Sequence, residues 1–119
     1  MTNTLQKRYK ILVSGYFGYN NIGDEAILKG LIDGIRKKSS NIDIVVLSKN
    51  PDWTMAKYNV KSVNRSKISD IISAIRDCDM LVSGGGSLLQ DVTSKKSILY
   101  YLAILKLALF FKKKTFIYS

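Results

Sequence analysis

Two glycine-rich runs hold most of the residues in this chain that could do chemistry. The first is Gly15-Tyr16-Phe17-Gly18-Tyr19-Asn20-Asn21-Ile22-Gly23, followed at once by Asp24-Glu25. The second is Gly84-Gly85-Gly86-Ser87, which continues to Gln90-Asp91. Three consecutive glycines cost chain entropy, and a fold tolerates them where the backbone takes positive φ or where another backbone or a ligand comes close. Exposed amides at such a turn can hold an anion; tight strand-to-helix packing explains the same glycines without a ligand. Asp24 can act as a base or as an acceptor for sugar hydroxyls, or it can simply complement a helix dipole, an effect of about 0.3–1 kcal/mol. Asp91 carries the same ambiguity, as a site residue or a helix cap. The Asn20-Asn21 pair is most simply explained by left-handed turn conformations.

What the runs exclude is as informative. The first reads G-x-x-G-x-x-x-x-G, which is neither the G-x-G-x-x-G of a dinucleotide fold nor a Walker loop, since no Gly-Lys-Ser/Thr follows. Leu47-Ser48-Lys49 stands where a ribose-binding acid would end the second strand. These features disfavour an NAD enzyme and a P-loop ATPase. The 119 residues contain no histidine, so they hold no Ser-His-Asp triad, no histidine metal ligand and no histidine base. The lone cysteine, Cys78, can form no internal disulfide and no zinc ribbon. No metal site is expected.

The elements that must position these runs follow from apolar patterning. Short apolar strands are predicted at 9–14, 42–47, 60–63, 80–83 and 115–118. Helices are predicted from Asp24-Glu25 to Lys38, from Pro51 to Tyr58, from Ile68 to Arg76, and from Lys95 to Lys113. In the first helix Ile27, Leu31 and Ile35, with Leu28 and Ile32 beside them, make one apolar face. Alternating strands and helices predict an α/β fold: a Rossmann-like parallel sheet with helices on both faces. In such sheets ligands sit outside the carboxyl ends of the strands, where strand order reverses. Both glycine runs follow a predicted strand, and they are expected to converge there as the floor of one anionic-substrate pocket.

Charge and hydropathy narrow the partners. Nineteen Lys and Arg against nine Asp and Glu give a net charge of +10, and 46% of the residues are apolar. The cations fall at 36–38, 65–67, 95–96 and 112–114, without interleaved stacking aromatics, so a solvated basic surface is expected and a nucleic-acid partner is not. The long fourth helix has little polar face, which suggests burial on most sides, in the core and against another lobe. Docking on a membrane, assisted by Lys112-Lys113-Lys114, is the sharper alternative. The basic N-terminus looks unlike a signal peptide, and the apolar stretch at 98–111 is shorter than the roughly 20 residues a bilayer requires. A cytoplasmic protein, in contact with the inner face of the membrane at most, is the expectation.

Taken together, the motifs carry a family resemblance. The run from Gly15 to Leu28 resembles the opening motif of the polysaccharide pyruvyl transferase family, and within it the CsaB-type branch that modifies bacterial cell-wall polysaccharide. The run from Ser83 to Ser94, with Ser97 to Leu102, is similar to that branch's second motif, and Leu47 to Pro51 and Arg65 fall where it has a similar turn and a basic residue. The resemblance spans about Ile11 to Ser119. It implies the N-terminal half of a GT-B-like two-lobe architecture, residues 1–119 forming one Rossmann-like lobe. A C-terminal lobe missing from these residues would supply a histidine and basic groups for the donor. It further implies transfer of a pyruvyl group from phosphoenolpyruvate onto two sugar hydroxyls as a cyclic ketal, with no cofactor and with a cell-wall polysaccharide or lipid-linked glycan as partner. Mapped onto this chain, Asp24 is the candidate catalytic residue. Gly15, Gly18, Asn21, Gly23, Gly84, Gly85, Gly86, Ser87, Gln90 and Asp91 are the candidate substrate contacts. The rival expectation is a non-catalytic glycan- or nucleotide-sugar-binding lobe of a GT-B-like glycosyltransferase.

Overall fold

The structure is a computed structural model, and it describes residues 8–84 and 95–118. Gly85, Gly86, Ser87, Gln90 and Asp91 lie outside the described residues. Five strands, β1 (Tyr9–Ser14), β2 (Ile42–Ser48), β3 (Lys61–Asn64), β4 (Met80–Gly84) and β5 (Lys114–Tyr118), form one sheet. The helices are α1 (Ile22–Lys38), α2 (Pro51–Tyr58), α3 (Ile68–Asp77) and α4 (Lys95–Phe110). Every pairing is parallel and the order is β3-β2-β1-β4-β5, the Rossmann-like arrangement expected.

Alternation along the strands sorts the core into two layers. Ile11, Val13, Ile44, Val46 and Val82 face Leu28 and Ile32 of α1 and Tyr58 of α2. Leu12, Leu47 and Leu81 face the opposite side, where Ile71 and Ile75 of α3 and Ile104 and Ala108 of α4 cover them. Strands buried on both faces read as continuous apolar runs. Burying side chains such as Leu12, Leu47 and Leu81 contributes about 1.5–3 kcal/mol each.

The helix ends follow local chemistry. Pro51 opens α2, where its missing N–H costs nothing. Asn59 closes α2 in the left-handed conformation with φ +54°. Cations Arg36, Lys37 and Lys38 end α1 against its negative pole.

Two expectations needed correction. The buried stripe of α1 is centred on Leu28 and Ile32, with Ile27, Leu31 and Ile35 only half-buried on its flanks. The last helix stops at Phe110, three residues before Lys113, because Lys112 takes a positive φ of +57° and its N–H turns back to Leu109 O. The same helix has one side covered by the sheet. Tyr101, Ile104 and Ala108 face the sheet, whereas Leu99, Leu102, Leu109 and Phe110 are 56–74% exposed, because one sheet covers only one side of a helix. No helix among the described residues is long and apolar enough to cross a membrane.

Candidate functional site

Strand order reverses between β1 and β4, because β1 runs on through α1 to β2 on one side while β4 starts the other half of the sheet. In open α/β sheets such a switch point is where ligands bind, outside the carboxyl ends of the strands. Ser14 pairs with Ser83 across the register, so the bases of both glycine runs leave the sheet side by side. Ser14 and Ser48 end β1 and β2, Ser83 is the next-to-last residue of β4, and all three are buried. Small side chains there keep the edge low. The Ser48 hydroxyl bonds Thr54 at 2.8 Å and accepts the Asn50 N–H at 2.9 Å. The buried Ser14 hydroxyl has no partner among the described residues.

The β1–α1 loop is held from below by Phe17, which is 2% exposed. A Cβ on Gly15 would lie 2.5 Å from the Phe17 ring, and one on Gly84 would lie 3.5 Å from it. The ring thus fills the gap between the two runs, and it requires glycine at 15. Gly18 has a second reason for its identity: its φ is +86°, and a Cβ would lie 2.7 Å from the Asn50 nitrogen and 2.8 Å from that of Lys49. The loop therefore lies directly on the chain leaving β2, and the Lys49 N–H donates to Phe17 O at 3.0 Å. Gly23 sits in the first turn of α1.

Asn20 takes the left-handed conformation, with φ +63°, as turn chemistry suggests. Asn21 does not. It is extended and serves as the N-cap of α1, its side-chain oxygen accepting the Asp24 N–H at 3.2 Å. The helix accordingly begins two residues earlier than the acidic pair predicts, and Asp24 and Glu25 lie inside its first turn. Asp24 is 5% exposed, a carboxylate buried at the positive end of a helix beside the switch point.

Glu25 does more than complement the dipole. Its carboxylate accepts the Gly18 N–H at 2.9 Å and the Tyr58 hydroxyl at 2.6 Å, while it is itself 8% exposed. One side chain thereby ties the loop, α1 and α2 together. Burial and the neighbouring Glu25 carboxylate push the Tyr58 hydroxyl far above the usual tyrosine range.

The least expected component is Arg65, in the connection between β3 and α3. It was grouped with the solvated surface cations, yet it is only 8% exposed. Its guanidinium lies within 4.3–5.9 Å of the ring centroids of Tyr16, Tyr19, Tyr100 and Tyr101. It donates to the Tyr19 hydroxyl at 2.5 Å and the Tyr101 hydroxyl at 3.0 Å. Its N–H reaches Ser48 O at 3.0 Å, and its carbonyl accepts the Tyr100 hydroxyl at 2.6 Å. No carboxylate pairs with it among the described residues, so π-faces and neutral hydroxyls are what offset its desolvation. Burial raises both Tyr100 and Tyr101 above the usual tyrosine range, with the Arg65 charge acting the other way.

Neither composition nor periodicity singled out this cage. Its members lie as far apart in sequence as Tyr16 and Tyr101, and Tyr100 and Tyr101 fall in a run that reads as helix core. The available signals are a basic residue directly after a short third strand and the place of Arg65 in the family resemblance. Among the described residues no group of His, Cys, Asp and Glu could hold a metal ion.

A family model described as Polysaccharide pyruvyl transferase matches residues 21–119, which include Asp24, the β4 edge and the whole of α4. Searches of curated proteins and of solved structures returned no match.

Proposed function

The chain belongs to the polysaccharide pyruvyl transferase family, and on that premise we propose that it transfers a pyruvyl group from phosphoenolpyruvate to a sugar of a cell-wall polysaccharide or lipid-linked glycan. The product is a cyclic ketal, and phosphate leaves. The observation that carries the reading is the family match over 21–119, joined to a buried Asp24 at the sheet's switch point.

Forming a ketal from an enol phosphate requires a proton at the enol carbon, stabilisation of a cationic carbon, removal of two hydroxyl protons and departure of phosphate. Asp24 is the group suited to removing a hydroxyl proton, taking it from a sugar hydroxyl as that oxygen attacks. The asparagine cap on its N–H fixes its place in the first turn. Around it, Gly15, Gly18, Asn21, Gly23 and Gly84 shape the pocket wall, with Gly85, Gly86, Ser87, Gln90 and Asp91 as further substrate contacts. The phosphate and carboxylate of the donor need cations or amide nests, and further ones belong to a second lobe of the GT-B-like arrangement.

The test is phosphate release from phosphoenolpyruvate in the presence of acceptor polysaccharide, by an enzyme carrying both lobes. Asp24→Asn should lower kcat by about 10²-fold or more. A variant as fast as the parent would remove Asp24 from the chemistry. No phosphate release at all would favour a binding lobe, and release that needs no acceptor would mark hydrolysis of the donor in place of transfer.

A further inference from the structure

We infer that the tyrosine cage around Arg65 is an oxyanion site, taking a carboxylate or phosphate group of a substrate at the sheet's carboxyl edge. The inference goes beyond the pyruvyl-transfer reading, since the site stands whether or not the bound anion is a pyruvyl donor.

Three observations carry it. First, the guanidinium is buried, yet no carboxylate balances its charge among the described residues. A guanidinium that served only structure would be expected to carry an acid partner, because burying an unpaired charge is costly. Second, the Nε of Arg65 is buried with no hydrogen-bond partner among the described residues. Arginine recognises oxyanions through two adjacent N–H groups in a plane, and here one of them stands ready. Third, the Tyr19 and Tyr101 hydroxyls both accept from the guanidinium, so each keeps its own proton to donate. A hydroxyl that accepts from a cation is a polarised and therefore better donor to an anion.

Among the described residues the loop side of the cage is its more exposed side. Tyr16 and Tyr19 stack with centroids 4.0 Å apart, belong to the β1–α1 loop and are only half-buried, whereas Tyr101 is 4% exposed and anchored in α4. An anion enters past the loop tyrosines and meets Arg65 with the Tyr19 hydroxyl beside it. The Arg65 N–H on Ser48 O and the Tyr100 hydroxyl on Arg65 O hold the backbone in place while it does so.

Calorimetric titration of the chain with inorganic phosphate, pyruvate and phosphoenolpyruvate tests the site. The wild type should bind at least one. Phosphate without pyruvate marks a phosphoryl pocket, and pyruvate without phosphate a carboxylate pocket. Arg65→Lys keeps the charge but loses the planar fork, and affinity should fall at least about tenfold. Tyr19→Phe keeps the ring, the stacking and the net charge, so it leaves nonspecific attraction to a basic protein untouched. It should weaken binding about fivefold or more, and it decides the matter if the lysine variant does not fold. Absence of binding to all three probes overturns the inference, as does wild-type affinity in both variants. Binding that depends on both residues in an enzyme that releases no phosphate keeps the site and sinks the pyruvyl-transfer reading; turnover indifferent to both does the reverse.

Discussion

Replacing Glu25 with alanine should damage this lobe more than removing a typical first-turn acid, and the structure sets the size of the effect. As a dipole partner alone, the carboxylate would contribute about 0.3–1 kcal/mol. Here it accepts two bonds, from the Gly18 N–H at 2.9 Å and the Tyr58 hydroxyl at 2.6 Å, in a nearly closed environment. Hydrogen bonds to a charged group contribute about 1.5–3 kcal/mol each, and both donors would be left wanting. Taking the lower part of that range twice, Glu25→Ala should cost about 3–4 kcal/mol, a large share of the roughly 5–15 kcal/mol that a domain has.

Glu25→Gln should be far milder, about 1 kcal/mol, because an amide can meet both groups. Its oxygen accepts the Gly18 N–H, and its nitrogen donates to the Tyr58 oxygen. The Tyr58 proton then goes to the Glu25 main-chain oxygen, already 3.3 Å away. Urea unfolding followed by circular dichroism measures both variants, provided the slopes stay equal. If alanine and glutamine cost the same, or alanine costs less than about 1 kcal/mol, Glu25 is only a dipole partner and the tie between loop, α1 and α2 is refuted.

Two further outcomes follow from the same geometry. Gly18→Ala should destabilise by about 2–4 kcal/mol, from the positive φ and from overlap with the main chain at Lys49 and Asn50. Gly30→Ala, inside α1 with nothing within 4 Å of the added carbon, should instead stabilise by about 0.5–1 kcal/mol. Urea midpoints that move the same way for both would contradict the assignment. Tyr58, Tyr100 and Tyr101 are all raised by burial, so the folded protein holds protons that the unfolded chain releases above about pH 10. Their contribution to stability is complete below about pH 10 and is lost as pH climbs toward the raised folded values. Tyrosinate absorbance should show some of the seven tyrosines ionising only as the protein unfolds. All seven titrating normally in the native state would show those side chains to be solvated.

The order and type of the elements were readable from the residues alone. Ile11 to Val13, Ile44 to Leu47 and Leu81 to Val82 are short apolar runs that only doubly covered strands tolerate, and Pro51 and the cations at 36–38 mark helix ends through local chemistry. The two glycine runs pointed to the carboxyl edge of the sheet and to the family for the same reason: their significance lies in contiguous residues. Errors arose where neighbours in space, and not in sequence, set the outcome. Asn21 reads as a left-handed turn residue until the Asp24 N–H is seen to reach its side chain as a cap. An apolar helix such as α4 does not show from its residues that the Tyr101, Ile104 and Ala108 side is the one the sheet covers.

By itself, then, the sequence determined alternating strands and helices, glycine at positions whose backbone it must serve, and membership of a family through long contiguous motifs. Tertiary structure alone decided that β1 lies between β2 and β4, that Glu25 bridges Gly18 to Tyr58, and that Arg65 is enclosed by four tyrosines from two distant segments. The physical reason is that patterning reports which face of an element seeks cover, whereas a guanidinium's burial depends on which crossovers bring distant rings over it.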